Sequence, residues 1–525
     1  MTRRRPGFGL GWATIIPIVA LVASPVIVVL ASILVPDRAM WARQWETRLP
    51  GMIVDTTVLL VTVLAGTLLL GTGLAWLVSA YAFPGRRILG WLLVTPLAVP
   101  GYVAGFVWLD TLSGPFGARG VRSIWLGAAT FILILYPYVY LFAKAAFSAQ
   151  GADTRDAART LGIGPLGTFW RVAVPQARPA IAAGGALVMM EVLTDIGTVR
   201  LFNIGTLADG VLRIWFGTGD RSAAAELATL LVATAVIIIT VERALRRGAR
   251  YAHRPGDRPA ALIPLGRGGR TLALSTCVGV LTLAVGVPVA RLILWTIEAG
   301  RAGTTSTVAG GLGHHLASTL VVAGAAASTC IVLGTVLAVM VRRRGPVGHA
   351  FGRIATLGYA VPGPVVAVGS VIVLAAVDRT GLVPGGVILV GSLVGMVFAL
   401  AVRYLVVGFH GVEAGLDRVS AATVASARTL GAGPARVAWR VEIPAARVAI
   451  LAAGALLAID LMKELPITLL LRPFGFDTLS VWVWQATSES LWTQAALPSL
   501  AMVVVGMIAV GVLLIALERG AEVVS

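Results

Sequence analysis

Apolar residues along this chain fall into twelve runs, each close to the length of about 20 residues that a helix needs to cross a bilayer. They lie near 12–35, 55–81, 88–109, 123–148, 181–203, 223–245, 270–295, 316–341, 352–377, 383–410, 447–466 and 493–516. Polar and charged residues collect in the segments between them. The pattern predicts an all-α integral membrane protein of about twelve transmembrane helices in two parallel six-helix repeats. An even number of spans per half sends both halves into the membrane in the same direction.

The halves are visible as text. Asp156–Pro175 reads DAARTLGIGPLGTFWRVAVP and Ala425–Pro444 reads ASARTLGAGPARVAWRVEIP, shifted by 269 positions, and Ala158–Val188 matches Ala427–Leu457 at 19 of 31 positions. This is an internal duplication. Residues 1–248 form the first repeat, with its loop at 153–178. Residues 249–267, rich in Arg, Pro and Gly, form a cytoplasmic linker, and 268–525 form the second repeat, with its loop at 422–447. In each copy Gly162 or Gly431 breaks a short helix, Pro165 or Pro434 starts another, and Pro175 or Pro444 is expected to stop it. The second short helix carries Phe169, Trp170 and Val172, or Trp439 and Val441, on a segment outside lipid. These apolar groups require a receiver.

Other landmarks repeat in the same order, at offsets of 263 and 262. Leu70–Ala75 (LGTGLA) recurs as Leu333–Ala338 (LGTVLA), small residues that let helices approach closely. Ala98–Gly101 recurs as Ala360–Gly363, placing Pro100 and Pro362 inside the third span of each half, where they break the helical ladder. The break either serves packing alone or lines a pathway. Glu191 and Asp195, four residues apart, are expected to share one face of the fifth helix, and Asp460 and Glu464 occupy the corresponding positions with Lys463 between them. Such charges belong in the bundle interior, either along a translocation path or as ion pairs forming a gate.

The duplicated loop resembles the cytoplasmic coupling loop of permeases in binding-protein-dependent ABC importers: Glu-Ala-Ala, three residues, Gly, nine residues, Ile-x-Leu-Pro. Asp156, Ala157, Ala158, Gly162, Val172 and Pro175 fit it, and the second copy keeps Ala427, Gly431, Val441 and Pro444 but has Ala425 in the first position. The resemblance implies docking of each loop into a cleft of an ATP-hydrolysing subunit. It also implies two such subunits at the cytoplasmic face, an extracytoplasmic solute-binding protein at the outer face, and a bacterial inner-membrane location. Fused permeases for ferric iron are the most similar group, through Pro96–Gly105, Leu207–Leu230 and Met462–Trp484. Permeases for thiamine, phosphonate, sulfate and polyamines share the scaffold.

Composition agrees with a membrane chain: 525 residues, 58% hydrophobic, 13% charged, mean hydropathy +0.90. A net charge of +18 would suggest nucleic acid in a soluble protein. Here most of the 42 Lys and Arg fall on one side of the predicted topology, which marks that side, and both termini, as cytoplasmic, so no nucleic-acid partner is expected. Arg3, Arg4 and Arg5 imitate a signal peptide, but the apolar run behind them is too long for one. Cys277 and Cys330 read as small apolar packers.

The only lysines, Lys144 and Lys463, lack a preceding glycine, so no phosphate-cradling loop of the form G-x-x-x-x-G-K-[ST] exists. ATP and Mg are therefore expected on a partner subunit, with no cofactor or catalytic residue in this chain. Any metal ligands are unknown from the sequence, although carboxylates suit a hard cation. A gradient-driven secondary transporter also pairs two six-helix halves, but it does not need the duplicated loop. An intramembrane enzyme finds no H-E-x-x-H or paired Asp motif, and His314 and His315 are expected at a helix start.

Overall fold

A computed structural model describes residues 10–117, 122–150, 158, 160–246, 261–303, 305–343, 345–355, 358, 361–381, 386–417 and 419–522. Asp156 and Ala157 lie outside them, as does most of the 249–267 linker.

We number the membrane-length helices α1 (Leu10–Ser32), α2 (Leu49–Ala80), α3 (Gly101–Phe116), α4 (Ile124–Ser148), α5 (Pro165–Thr194), α6 (Arg221–Arg246), α7 (Arg267–Arg301), α8 (Thr305–Arg342), α9 (Gly363–Thr380), α10 (Leu393–Leu416), α11 (Pro434–Met462) and α12 (Trp492–Glu522). Eleven helices among the described residues are long and apolar enough to cross a membrane, and they are twelve if the bent pair Arg86–Ala98 with Gly101–Pro115 of α3 counts as one span. The apolar pattern therefore located every span. Strand structure among the described residues is confined to one two-residue parallel ladder, β1 (Tyr81–Ala82) with β2 (Ile263–Pro264), which ties the residues following α2 to the segment preceding α7.

Each half is built on the same triad: α2, α4 and α5 in the first, α8, α10 and α11 in the second. The repeated small residues explain the closeness of these contacts. A Cβ on Gly71 would lie 2.8 Å from Val139 Cβ and 2.9 Å from the Tyr136 carbonyl, and one on Gly334 would lie 2.7 Å from the backbone of Gly408 and Phe409. Anything larger than hydrogen would push the paired helices apart.

The first helix of each half reaches across to the opposite half. Helix α1 packs on α9, where Gly369 receives the Pro25 carbonyl, while α7 packs on α3 and α12. At the second crossing Phe106 stacks between Trp295 and Trp492, with ring centroids 5.6 and 5.7 Å away. Arg291 donates to Asp110 beside it at 2.8 Å.

Four expectations need correction. Pro175 and Pro444 do not stop the second short helix: a π-helical turn at Phe169–Ala173 and at Ala438–Glu442 precedes each proline, and the helix continues into the span. A wider turn accommodates the proline ring and its missing N–H, so the ladder resumes without a break. The fifth span of each half ends earlier than the apolar run, at Thr194 and Met462, so Asp195 lies beyond α5 and Glu464 beyond α11. Glu191 and Asp195 therefore share no helical face. The third is Phe169, which turns inward onto Trp76 and Phe147 instead of waiting for a partner. Finally, His314 and His315 sit well inside α8, with His315 stacked on Trp482 at 4.5 Å. Cys277 and Cys330 are buried free thiols, as expected of packing residues.

Candidate functional site

The duplicated loops fold as two elbows of one design. In the first, the N–H of Ile163 donates to the Ala158 carbonyl at 2.9 Å, and Gly162 sits at φ +73°. In the second, Ala432 donates to Ala427 at 3.1 Å around Gly431 at φ +81°. This is the six-to-one closure of a helix ended by a left-handed residue, which glycine adopts without penalty. Alanine at 158 and 427 supplies the acceptor, glycine makes the turn, and Pro165 or Pro434 opens the next helix. The spacing of the motif is thus the spacing of this closure.

Equivalent apolar side chains then project outward from both elbows. Leu161 is 77% exposed and Trp170 58%, and their counterparts Leu430 and Trp439 are 87% and 72% exposed. Two repeats leave the same two positions uncovered at the same place, a surface shaped for a partner. The elbows are anchored differently. The aromatic cluster Trp76, Phe147 and Phe169 holds the first. In the second, Arg343 from the end of α8 donates to the Pro434 carbonyl at 2.8 Å and pairs with buried Glu442 at 3.3 Å.

Between the repeats lies a cavity of about 70 Å³ lined by Pro100, Glu191, Asp195, Asp460, Lys463 and Glu464. Six of the seven pathway positions expected from sequence therefore converge. Pro362 does not line the cavity itself but stands directly before Gly363, whose N–H donates to the Thr194 hydroxyl across the repeat boundary at 3.4 Å. Neither proline kinks a helix. Pro100 (φ −60°, ψ 145°) and Pro362 (φ −56°, ψ 145°) are extended caps, after which α3 and α9 begin at a glycine. The first break bends the span by 90°. Glycine is required at both starts: a Cβ on Gly101 would lie 2.7 Å from Thr198 Oγ1 and 3.1 Å from Asp195 Oδ2, and one on Gly363 would collide with the Arg403 guanidinium.

The acids have specific occupations. Asp195 accepts from the Thr198 N–H at 2.7 Å and the Thr198 hydroxyl at 2.9 Å, capping the short helix Gly197–Leu201. Glu464 accepts from the N–H of Ile467 at 2.8 Å, the N–H of Thr468 at 3.0 Å and the Thr468 hydroxyl at 2.8 Å, capping Pro466–Leu471. Both carboxylates satisfy helix starts that would otherwise leave donors unpaired at membrane depth. Asp460 pairs with Lys463 at 3.0 Å. Glu191, from the first repeat, has Lys463, Asp460 and Arg403 of the second repeat as its charged neighbours.

Arg403, in the middle of α10, completes the set and escaped sequence reasoning. The cavity's two cations both come from the second repeat, whereas the positions matching them at the 269 offset are Ile134 and Thr194. Acids of the first repeat thus face cations of the second. No group of three or more His, Cys, Asp or Glu able to hold a metal occurs among the described residues.

Comparison with known proteins bears on both features. The profile of the binding-protein-dependent transport system inner membrane component family matches residues 67–247 and again residues 330–522. An Fe(3+)-transport system permease of Haemophilus influenzae is 27% identical over 458 residues, covering 86% of this chain and 87% of that protein. A sulfate transport system permease of Salmonella typhimurium is 26% identical over 257 residues, 45% of this chain but 90% of its own length. A molybdenum transport system permease of Escherichia coli is 28% identical over 196 residues, 34% of this chain and 86% of its own. With two family matches in register with its two elbows, the chain belongs to the inner membrane components of binding-protein-dependent transport systems and is the multi-pass permease subunit of an ABC importer, not itself an enzyme.

Proposed function

We propose that this permease imports ferric iron, handed to its outer face by an extracytoplasmic binding protein and driven by ATP hydrolysis on two subunits docked at the cytoplasmic elbows. The observation that carries the cargo assignment is coverage. The Haemophilus influenzae iron permease parallels both repeats, whereas the sulfate and molybdenum permeases each parallel about one. The two repeats supply the two elbows that two half-length permeases would otherwise bring together. Residues 1–248 and 268–525 thereby act as the two functional halves, joined through 249–267, with both termini cytoplasmic.

The elbows carry the coupling, through Gly162, Gly431 and the exposed pairs Leu161–Trp170 and Leu430–Trp439. Asp156, Ala157 and Ala158 lead into the first of these turns, and Ala427 into the second. Pro175 and Pro444 serve as the points where each elbow passes into its spanning helix. In the cavity, Pro100 and Pro362 set the breaks from which α3 and α9 start, and Asp195 and Glu464 hold the short helices that follow α5 and α11. Glu191, Asp460, Lys463 and Arg403 form an ion-paired gate across the repeat boundary. Cargo passes this gate without a resident site, and ATP and Mg are held by the partner subunits alone.

A second reading, an oxyanion cargo, is favoured by Arg403 and Lys463, and the four carboxylates around them oppose it. Uptake of radioactive ferric iron by cells expressing the complete system separates the two. Iron should accumulate in an ATP-dependent manner and resist competition by sulfate or molybdate, whereas accumulation of either oxyanion at iron's expense would overturn the assignment. Native mass measurement of the purified complex should return one permease chain to two ATP-binding subunits. A complex containing two permease chains would contradict the fused-halves reading.

A further inference from the structure

The second elbow carries a feature that the first lacks. Arg342, Arg343 and Arg428, with Val424, Ala425 and Glu442, line a cavity of about 370 Å³ at the cytoplasmic end of α8. Three guanidiniums face one carboxylate there. Arg342 donates to the carbonyls of Leu416 and Val419, and Arg343 donates to Pro434 and Glu442. Each guanidinium carries five donors, so both keep N–H groups for another acceptor. Arg428 is exposed and takes part in no ion pair among the described residues.

With the Leu70–Ala75 and Leu333–Ala338 repeats aligned, an offset of 263, the first repeat has Ser79 and Ala80 where the second has Arg342 and Arg343, and at the 269 offset of the elbows it has Ala173 and Asp156 where the second has Glu442 and Ala425. Arg159 corresponds to the cavity cation Arg428, and Arg155 stands where the cavity has Val424, with Asp156 between them in the sequence. The first elbow therefore brings two arginines on either side of an acid of its own in the sequence, with nothing basic at Ser79 and Ala80. The second brings three arginines and leaves an alanine where the acid would be.

We infer that this basic cavity of the second elbow receives a carboxylate side chain supplied by the docked ATP-binding subunit, a contact that the first elbow does not make. The inference rests on the docking of ATP-binding subunits proposed above. The cavity adjoins Leu430, two residues beyond Arg428, so a protein that covers the exposed apolar residues is placed to extend an acidic side chain into it. Charge-assisted and bidentate bonds to arginine would give that contact both strength and orientation. The two docking events then differ: the second elbow binds its subunit more tightly at low salt and loses it more steeply as salt rises.

The test uses the complete complex purified with its ATP-binding subunits, titrated with salt and read by native mass as the populations of one-to-two and one-to-one assemblies. In the unaltered complex, salt should produce a one-to-one intermediate. Arg428→Glu should weaken the second elbow by about tenfold or more at low salt, the scale of losing one desolvated interfacial charge contact, and Arg428→Lys should recover part of the loss. Arg159→Glu in the first elbow should do less. Ala425→Asp, which fills the cavity from within, should keep the assembly while flattening its salt dependence. Equal salt curves for Arg428→Glu, Ala425→Asp and the unaltered protein would overturn the carboxylate contact alone. A purified chain that retains no ATP-binding subunit at any salt would overturn the docking reading, and the contact with it.

Discussion

Lys463→Met is expected to deplete the membrane of assembled protein. The Lys463 side chain is 19% exposed and that of its partner Asp460 8%, so the ammonium can be lost without water replacing it. Its removal leaves Asp460 and Glu191 lining one cavity with Arg403 as the remaining cation. Breaking a buried pair from one side costs about 3–5 kcal/mol, because the abandoned charge stays desolvated, whereas removing both partners is often close to neutral. The double variant Lys463→Met with Asp460→Asn should therefore recover most of the lost stability. It should also recover transport per assembled complex, since Glu191 retains Arg403 and the capping acids are untouched. The comparison is thermal unfolding of the purified complex together with transport normalised to assembled protein. Recovery of stability without recovery of transport would show that cargo interacts with these charges, and the gate assignment would fall.

The second large effect is expected at the elbows. Gly162→Val and Gly431→Val place a β-branched residue at φ +73° and +81°, in the left-handed region that L-residues avoid at about 1–2 kcal/mol and that branching makes worse. Apart from its chain neighbours, no heavy atom of the described residues lies within 4 Å of either added Cβ, so the cost falls on the turn and not on packing. Insertion and the spanning helices should persist while the elbow loses its shape. ATP hydrolysis should continue at its basal rate, and transport per ATP should fall at least tenfold in each variant and to background in the double variant. Alanine at the same positions, strained but unbranched, should give an intermediate loss. Unchanged coupling in Gly431→Val would remove the elbow from the transmission path.

Both elbows were legible because the turn is local chemistry: alanine as acceptor, glycine at positive φ and proline at a helix start leave a fixed spacing in the text. Gly71 and Gly334 were legible for the same reason, since close packing needs small residues wherever it occurs. The fates of Asp195 and Glu464 were misread from their four-residue spacing to Glu191 and Asp460, which suits one helical face only if the helix continues. The counter-signals were present. Pro466 two residues after Glu464 marks a helix start, and Thr198 three residues after Asp195 completes a capping pattern. Arg403 left no such trace. It is a single cation in the apolar run of α10, and its partners arrive from other helices and from the other repeat, a relation that periodicity along one segment does not encode.

The π-helical turns before Pro175 and Pro444 make each elbow helix one piece with its spanning helix. Pro165–Thr194 comprises 30 residues, a rod of about 45 Å at about 1.5 Å rise per residue. One end carries the exposed Trp170, and the other ends where Asp195 caps the next helix. A rod of that length is a lever arm: tilting it by about 5° at the elbow sweeps the far end through about 4 Å. That stroke exceeds the contact distance of an ion pair, about 3 Å. A small tilt at the elbow is thus large enough, at the cavity, to carry Glu191 away from Lys463 and Arg403 of the second repeat.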